Sequence, residues 1–194
     1  MKTQTDTERN RERLAKEIFP EEFRSIGLDP VKSESLSLLY ADLRMRRAKK
    51  GIFLFGTPGT GKTTAMKFFS NRFQIPWFSS IWIANDSSCY DLGDWYSWFC
   101  LNFGKRDVII DDLGAERDVK KYGNEGIIAD LISFREQSYQ EFGVLTHFTT
   151  NLMGEGGTEK MMGIKQRYGD RIASRIIGMC DIVMLTGSDR RRGK

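Results

Sequence analysis

One stretch constrains the fold more than any other: GIFLFGTPGTGKTTAMKFF, residues 51–69. Residues 52–55 are apolar and aromatic-rich, the composition of a short buried strand in a parallel sheet. A loop of glycine, threonine and proline follows at once, then Lys62 and two threonines. Gly56, Gly61, Lys62 and Thr63 fit the spacing G-x-x-x-x-G-K-[ST] of a phosphate-binding loop. Beyond Thr63, the apolar residues Ala65, Phe68, Phe69 and Phe73 recur at helical spacing. The loop therefore lies between a strand and a helix, the context such a motif requires. Its glycines let several backbone N–H groups converge on one anion, and the helix start adds partial positive charge. Gly56, Thr57, Pro58, Gly59, Thr60, Gly61, Lys62, Thr63 and Thr64 are the expected nucleotide-binding set. Lys62 would reach the outer phosphates and the Thr63 hydroxyl would face Mg²⁺.

The rest of the chain repeats the strand–helix alternation. Residues 35–50 read as a helix leading into the loop strand. Residues 75–83, IPWFSSIWI, read as a second strand, and SCYDLGDWYSWFC as a helix. RDVIIDDLGAE holds a third strand that ends in acids, with a helix over about 126–141 after it. GVLTHFTTN is a fourth strand, GDRIASRII a helix and DIVMLTG a fifth strand. Such alternation predicts an α/β fold: a five-stranded parallel sheet flanked by helices, with ligands at the carboxyl ends of the strands. Residues 1–35 read as a charged, partly helical extension with a turn near GLDP, and 36–194 as the catalytic core.

The strand at 108–110 ends in Asp111 and Asp112. A phosphate-loop site needs a strand-end carboxylate for its metal, and Asp111 is the candidate. Side chains alternate along an extended strand, so Asp112 faces elsewhere and is placed to orient or deprotonate a water. That acid points to nucleotide hydrolysis rather than to a small-molecule kinase. Asn151 follows the fourth strand, either as an amide at the γ-phosphate or as a cap of the next loop. His147 lies inside that strand and reads as packed. Arg171 and Arg175 are four apart on one helical face, beside the apolar Ile172 and Ile176. They suit an interface or a solvated face.

Composition narrows the setting. With 29% charged and 40% hydrophobic residues, the chain is an ordinary soluble globular one rather than disordered or membrane-spanning. Its start carries no apolar signal core. Three scattered cysteines, Cys89, Cys100 and Cys180, form no C-x-x-C pair, which argues against zinc or a disulfide framework and for the cytoplasm. The net charge of +4 is modest, but RMRRAKK concentrates Arg44, Arg46, Arg47, Lys49 and Lys50 in seven positions, and RRRGK closes the sequence. Such patches suit a nucleic-acid backbone or a solvated surface.

Taken in order, GTPGTGKT, VIIDDLGAE, ISFRE with HFTTNL, YGDRIASRI and LTGSDRR resemble the DnaC/IstB-type ATPases of the AAA+ superfamily, over about residues 36–192. The resemblance implies a P-loop NTPase fold of the ASCE type without a C-terminal lid domain. It implies ATP and Mg²⁺ as cofactors, Thr63 and Asp111 at the metal, Asp112 as the second Walker B acid and Asn151 as sensor 1. It makes Arg175 an arginine finger acting in trans, with Arg171 its basic neighbour, in a homo-oligomer. The implied function is a DNA-associated ATPase resembling a replicative helicase loader, with single-stranded DNA and the helicase as partners. The alternatives are a helper ATPase of a transposase and an oligomeric binding module with little turnover.

Overall fold

The computed structural model describes residues 5–25, 34–89, 92–116, 126–153, 161–187 and 189. The GLDP turn and the closing RRRGK lie outside the described residues. In chain order the elements are α1 (Asp6–Arg13), a π-helical turn (Leu14–Ile18), α2 (Phe19–Arg24), α3 (Glu34–Arg44), β1 (Gly51–Phe55), α4 (Lys62–Phe73), β2 (Trp77–Ser79) and α5 (Ser80–Cys89). They continue with α6 (Leu92–Phe103), β3 (Val108–Leu113), α7 (Ile127–Phe142), β4 (Thr146–Thr150), α8 (Met162–Met179) and β5 (Cys180–Met184). The five strands form one parallel sheet in the order β2-β3-β4-β1-β5.

Helices cover both faces, which is why β1 is buried at all five positions. Alternation splits its side chains between two cores. Phe53 and Phe55 join Ile110 and Phe148 under α6, α7 and α8. Ile52 and Leu54 join Ile109 under α3, α4 and the N-terminal helices. α1 starts with a capping box, in which the Glu8 N–H donates to Thr5 Oγ1 at 3.3 Å and the Thr5 N–H to Glu8 Oε2 at 2.9 Å. Phe19 and Phe23 of α2 are buried, with ring centroids 4.6 Å apart, and Phe19 also meets Tyr40 at 5.1 Å. Residues 5–25 thus close one face of the sheet rather than standing apart from it.

Three boundaries differ from the sequence expectation. The second strand stops at Ser79 and its apolar continuation is α5, with Ile83 and Ala84 buried and Ile81 and Trp82 exposed. A short apolar run fits both periods, and only the sheet partner decides: β2 pairs with β3 from Trp77 to Ser79 and ends where β3 reaches its acids. The helix expected to reach Lys50 stops at Arg44. Its end is a Schellman turn, with Arg46 N–H donating to Leu43 O at 3.1 Å and Arg47 N–H to Asp42 O at 2.7 Å. Arg46 carries φ 53°, a left-handed conformation that costs a non-glycine residue about 1 kcal/mol. The third strand runs through both acids to Leu113, with a register shift against β4 between Ile110 and Leu113.

Two buried polar side chains brace the sheet. Arg135 of α7 is fully buried and satisfied by oxygens: its Nε donates to Thr146 Oγ1 at 2.8 Å, Nη1 to Phe103 O at 2.6 Å, and Nη2 to Arg106 O at 2.9 Å and Leu145 O at 3.2 Å. Burial pulls its pKa down to about 10. His147 lies inside the sheet, where Nδ1 accepts the Ile52 N–H at 3.2 Å, so it is packed, as its place within the strand suggested.

Burial, and then the charge of Arg135, depress the His147 pKa from 6.5 to about 4. The unfolded chain therefore takes up a proton that the folded one refuses. The resulting stability is complete above about pH 6.5 and is lost as the pH falls through 4, on the order of 3 kcal/mol in all. Denaturant titrations across that window should show the loss. His147→Gln, which can still accept from Ile52 but does not titrate, should be much less acid-sensitive; an equally acid-labile variant would assign the effect to other groups.

Candidate functional site

The carboxyl ends of β1, β3 and β4 converge on one spot, because their register sets Phe55 beside Thr150 and Ile110 beside Phe148. From β1 the chain turns into the loop through Gly56 at φ 145°. A Cβ there would stand 2.3 Å from Leu185 O. Gly59, at φ 82°, lies so close to the Asp189 carboxylate that a Cβ would sit 1.9 Å from Oδ1. Glycine is thus required at both positions by backbone conformation and by lack of room. Thr60 Oγ1 braces the loop by donating to Thr57 O at 3.0 Å. Gly61, left-handed at φ 95°, starts α4 with no side-chain cap, which leaves the dipole-bearing end of the helix directed at the loop.

Lys62 is buried, and its Nζ donates to Gly56 O at 2.8 Å and Thr57 O at 2.9 Å. The ammonium is thus held inside the loop by two of the loop's own carbonyls. Thr57, Pro58 and Thr64 are exposed at the rim.

Beside the loop, one hydrogen-bonded chain joins four predicted residues through a fifth. Thr63 Oγ1 donates to Asp111 Oδ1 at 3.2 Å. Thr149 Oγ1 donates to the same carboxylate oxygen at 2.6 Å and accepts the Asp112 N–H at 2.8 Å. Asn151 Nδ2 donates to Asp112 Oδ1 at 2.6 Å. Ser80 Oγ secures the backbone by donating to Asp112 O at 2.6 Å. Asp112 has φ 61°, so strict alternation fails at this residue. The turn sends its carboxylate to Asn151 while Asp111 stays on Thr63. Thr149 was visible in TTN but carried no assigned role; it ties the two acids together.

The donor set fits Mg²⁺. One buried carboxylate and one hydroxyl, 3.2 Å apart, suit a small hard cation that takes its other ligands from water and phosphate. Among the described residues no group of three or more acidic, histidine or cysteine side chains forms an all-protein metal cage. Burial raises the Asp111 pKa, the Thr149 and Thr63 hydrogen bonds oppose that shift, and the Asp112 charge adds to it. A carboxylate desolvated in this way gains from a nearby cation.

Arg171 and Arg175 stand on α8 beyond a break at Gly169, where φ 85° and ψ 165° interrupt the helix. Ile172 and Ile176 are buried, Arg171 is exposed and Arg175 half-buried. Neither arginine hydrogen-bonds to the chain of acids among the described residues. A second contact does join α8 to the acids. Glu116 Oε2 accepts the Gly114 N–H at 2.9 Å, and its Oε1 accepts the Tyr168 hydroxyl. Arg167 Nη2 donates to Glu116 O at 2.8 Å. Burial, and then the Glu116 charge, push the Tyr168 pKa up, so the phenol keeps its proton. Glu116 and Tyr168 sat in plain view in DDLGAE and YGDR, but their partnership spans 52 residues of sequence.

Arg44 is the last residue of α3, and Arg46, Arg47, Lys49 and Lys50 lie between that helix and β1, away from the acids. Among the described residues no helix is long and apolar enough to cross a membrane.

No protein family and no curated protein matches the sequence. Solved structures do match. The crystal structure of the DnaC helicase loader superposes with a TM-score of 0.52 at 22% identity, over 79% of this chain and 90% of that one. DnaI gives 0.56 at 18% identity over 84% of each chain. A putative primosome component from Streptococcus pyogenes serotype M3 gives 0.56 at 18% identity over 81% of each. With the five-stranded parallel sheet and the loop after β1, these likenesses show that the chain shares the fold of the DnaC helicase loader and DnaI.

Proposed function

We propose that the chain binds ATP with Mg²⁺, hydrolyses the nucleotide, and does so as a DNA-associated cytoplasmic protein acting on a replicative helicase. The observation that carries the reading is the hydrogen-bonded chain Thr63–Asp111–Thr149–Asp112–Asn151 beside the phosphate loop. Each residue has a task that its contacts support. The loop N–H groups and Lys62 bind the phosphates. Lys62 leaves the Gly56 and Thr57 carbonyls for the stronger attraction of phosphate oxygens. Thr63 and Asp111 would hold the cation, which when bound supplies neutralising charge at the phosphates. Asp112 orients a water and accepts its proton, and Asn151 holds that carboxylate in place. Arg175, with Arg171 beside it, faces away from its own apolar core and completes the site of a neighbouring subunit. The helicase as partner rests on the fold shared with the DnaC helicase loader and DnaI.

Lys62→Ala tests the nucleotide reading. Adding ATP and Mg²⁺ should raise the parent's melting temperature, since a ligand at a hundred times its Kd contributes about 2.7 kcal/mol. The variant should fold and melt without nucleotide much as the parent does, yet gain nothing from ATP. Equal thermal shifts in the two proteins would refute the phosphate-loop assignment.

A further inference from the structure

The sheet carries a charged groove at its other edge. β1 and β5 begin at the end remote from the phosphate loop, and a groove of 1150 Å³ opens there. Leu38, Leu39, Ile52 and Val183 give it an aliphatic floor. Arg46, Arg47, Lys49 and Lys50 line it, as do Arg11, Asp42 and Asp181. Asp42 is already committed, because Arg11 grips it through Nε at 2.6 Å and Nη2 at 2.7 Å. Among the described lining residues, four cations therefore face one acid outside that pair, Asp181. Among the described residues no carboxylate forms an ion pair with any of the four.

Arg46 supplies an independent observation. It occupies the left-handed position of the Schellman turn, at φ 53°, where glycine is the ordinary residue. Its side chain is exposed and adds nothing to the core. The backbone strain thus falls on a residue whose side chain lines a charged groove, an outlier that points to a role for that side chain.

We infer that this groove binds the phosphate backbone of a nucleic acid, with Arg46, Arg47, Lys49 and Lys50 as the contacting cations, on the edge of the sheet opposite the nucleotide. The inference rests on the DNA association proposed above and gives it a place. Among the described residues no aromatic ring lines the groove, which offers cations rather than a stacking platform, so the binding inferred runs through phosphates, independent of sequence. The span of β1 separates the groove from the phosphate loop, so both sites can be filled at once.

The test uses the whole chain, a labelled mixed-sequence oligonucleotide in single-stranded and duplex form, and fluorescence anisotropy at salt concentrations between about 50 and 200 mM. Arg46→Gly should weaken binding several-fold while melting no lower than the parent, because glycine relieves the positive φ. Combining it with Arg47→Gln, Lys49→Gln and Lys50→Gln should weaken binding about a hundredfold or more. It should also flatten log affinity against log salt by roughly 0.7–0.9 for each phosphate that is no longer neutralised. The two oligonucleotide forms show which one the groove takes. The inference is overturned if the fourfold variant keeps the parental affinity and slope. It is also overturned if the parent binds neither form, or if an acidic protein competes for the groove while nucleic acid does not bind. The ATP-induced thermal shift reads the other edge of the sheet. Its persistence in the groove variants separates failure here from failure of the nucleotide reading.

Discussion

Asp112→Asn is expected to bind ATP and Mg²⁺ as tightly as the parent and to turn ATP over about two to four orders of magnitude more slowly, the range for loss of a general base. The substitution is mild in every structural respect. Asparagine tolerates the left-handed φ of 61°, its side-chain oxygen can still accept from Asn151, and the Asp112 backbone bonds to Thr149 and Ser80 do not involve the carboxylate. Only the charge and the proton acceptor disappear. An interaction made only in the transition state lowers kcat without weakening ground-state binding. Asp111→Asn should fail differently, with Mg²⁺-dependent nucleotide binding weakened. The folded state raises the Asp111 pKa above its ordinary 3.8, so without metal the folded protein binds that proton more tightly than the unfolded chain. Stability from this group is present below the ordinary value and lost as the pH rises through the raised one. Asp111→Asn should accordingly melt higher than the metal-free parent at neutral pH. Isothermal titration and steady-state kinetics on both variants separate the roles. Parental turnover in Asp112→Asn would remove that residue from the chemistry.

Arg175→Ala is expected to bind ATP normally and hydrolyse it roughly a hundredfold or more slowly, as when an arginine finger is removed. α8 anchors the arginine through Ile172 and Ile176, both buried, so truncation at the half-buried 175 position leaves the packing in place. A trans role makes the parent's specific activity rise with protein concentration, or with DNA that gathers subunits. Mixing is the decisive measurement. Arg175→Ala offers an intact phosphate loop and Lys62→Ala an intact arginine, so a mixed assembly contains some complete sites. Recovered activity supports the trans site. A mixture that stays inactive while co-assembly is verified confines Arg175 to its own subunit.

Much of the candidate nucleotide site is written locally in the sequence. The phosphate loop needs only strand, glycines, lysine and helix start within twelve residues or so, and each can be recognised from its neighbours. The alternation of strands and helices likewise follows from local hydrophobic period, and with it the parallel sheet. The resemblance through DDLGAE, TTNL and YGDRIASRI extends the reading to the five-stranded parallel sheet, which the structure shows.

What sequence could not settle involves partners far apart along the chain. Thr149 joins the two acids across 38 and 37 residues, and Glu116 meets Tyr168 across 52. The short second strand and the left-handed Asp112 depend on pairing with β3 and β4, not on the residues' own preferences. Nothing in ISFRE distinguishes Arg135 from a surface helix arginine; only the fold surrounds it with Thr146 and three carbonyls. RMRRAKK announced its charge but not its place: the Schellman turn at Arg46 and the crossover that sets β5 beside β1 turn a run of cations into a groove on the far edge of the sheet. Periodicity and motif spacing describe what a segment can become alone. Register, burial and the meeting of distant carbonyls and carboxylates exist only once the strands have chosen their neighbours.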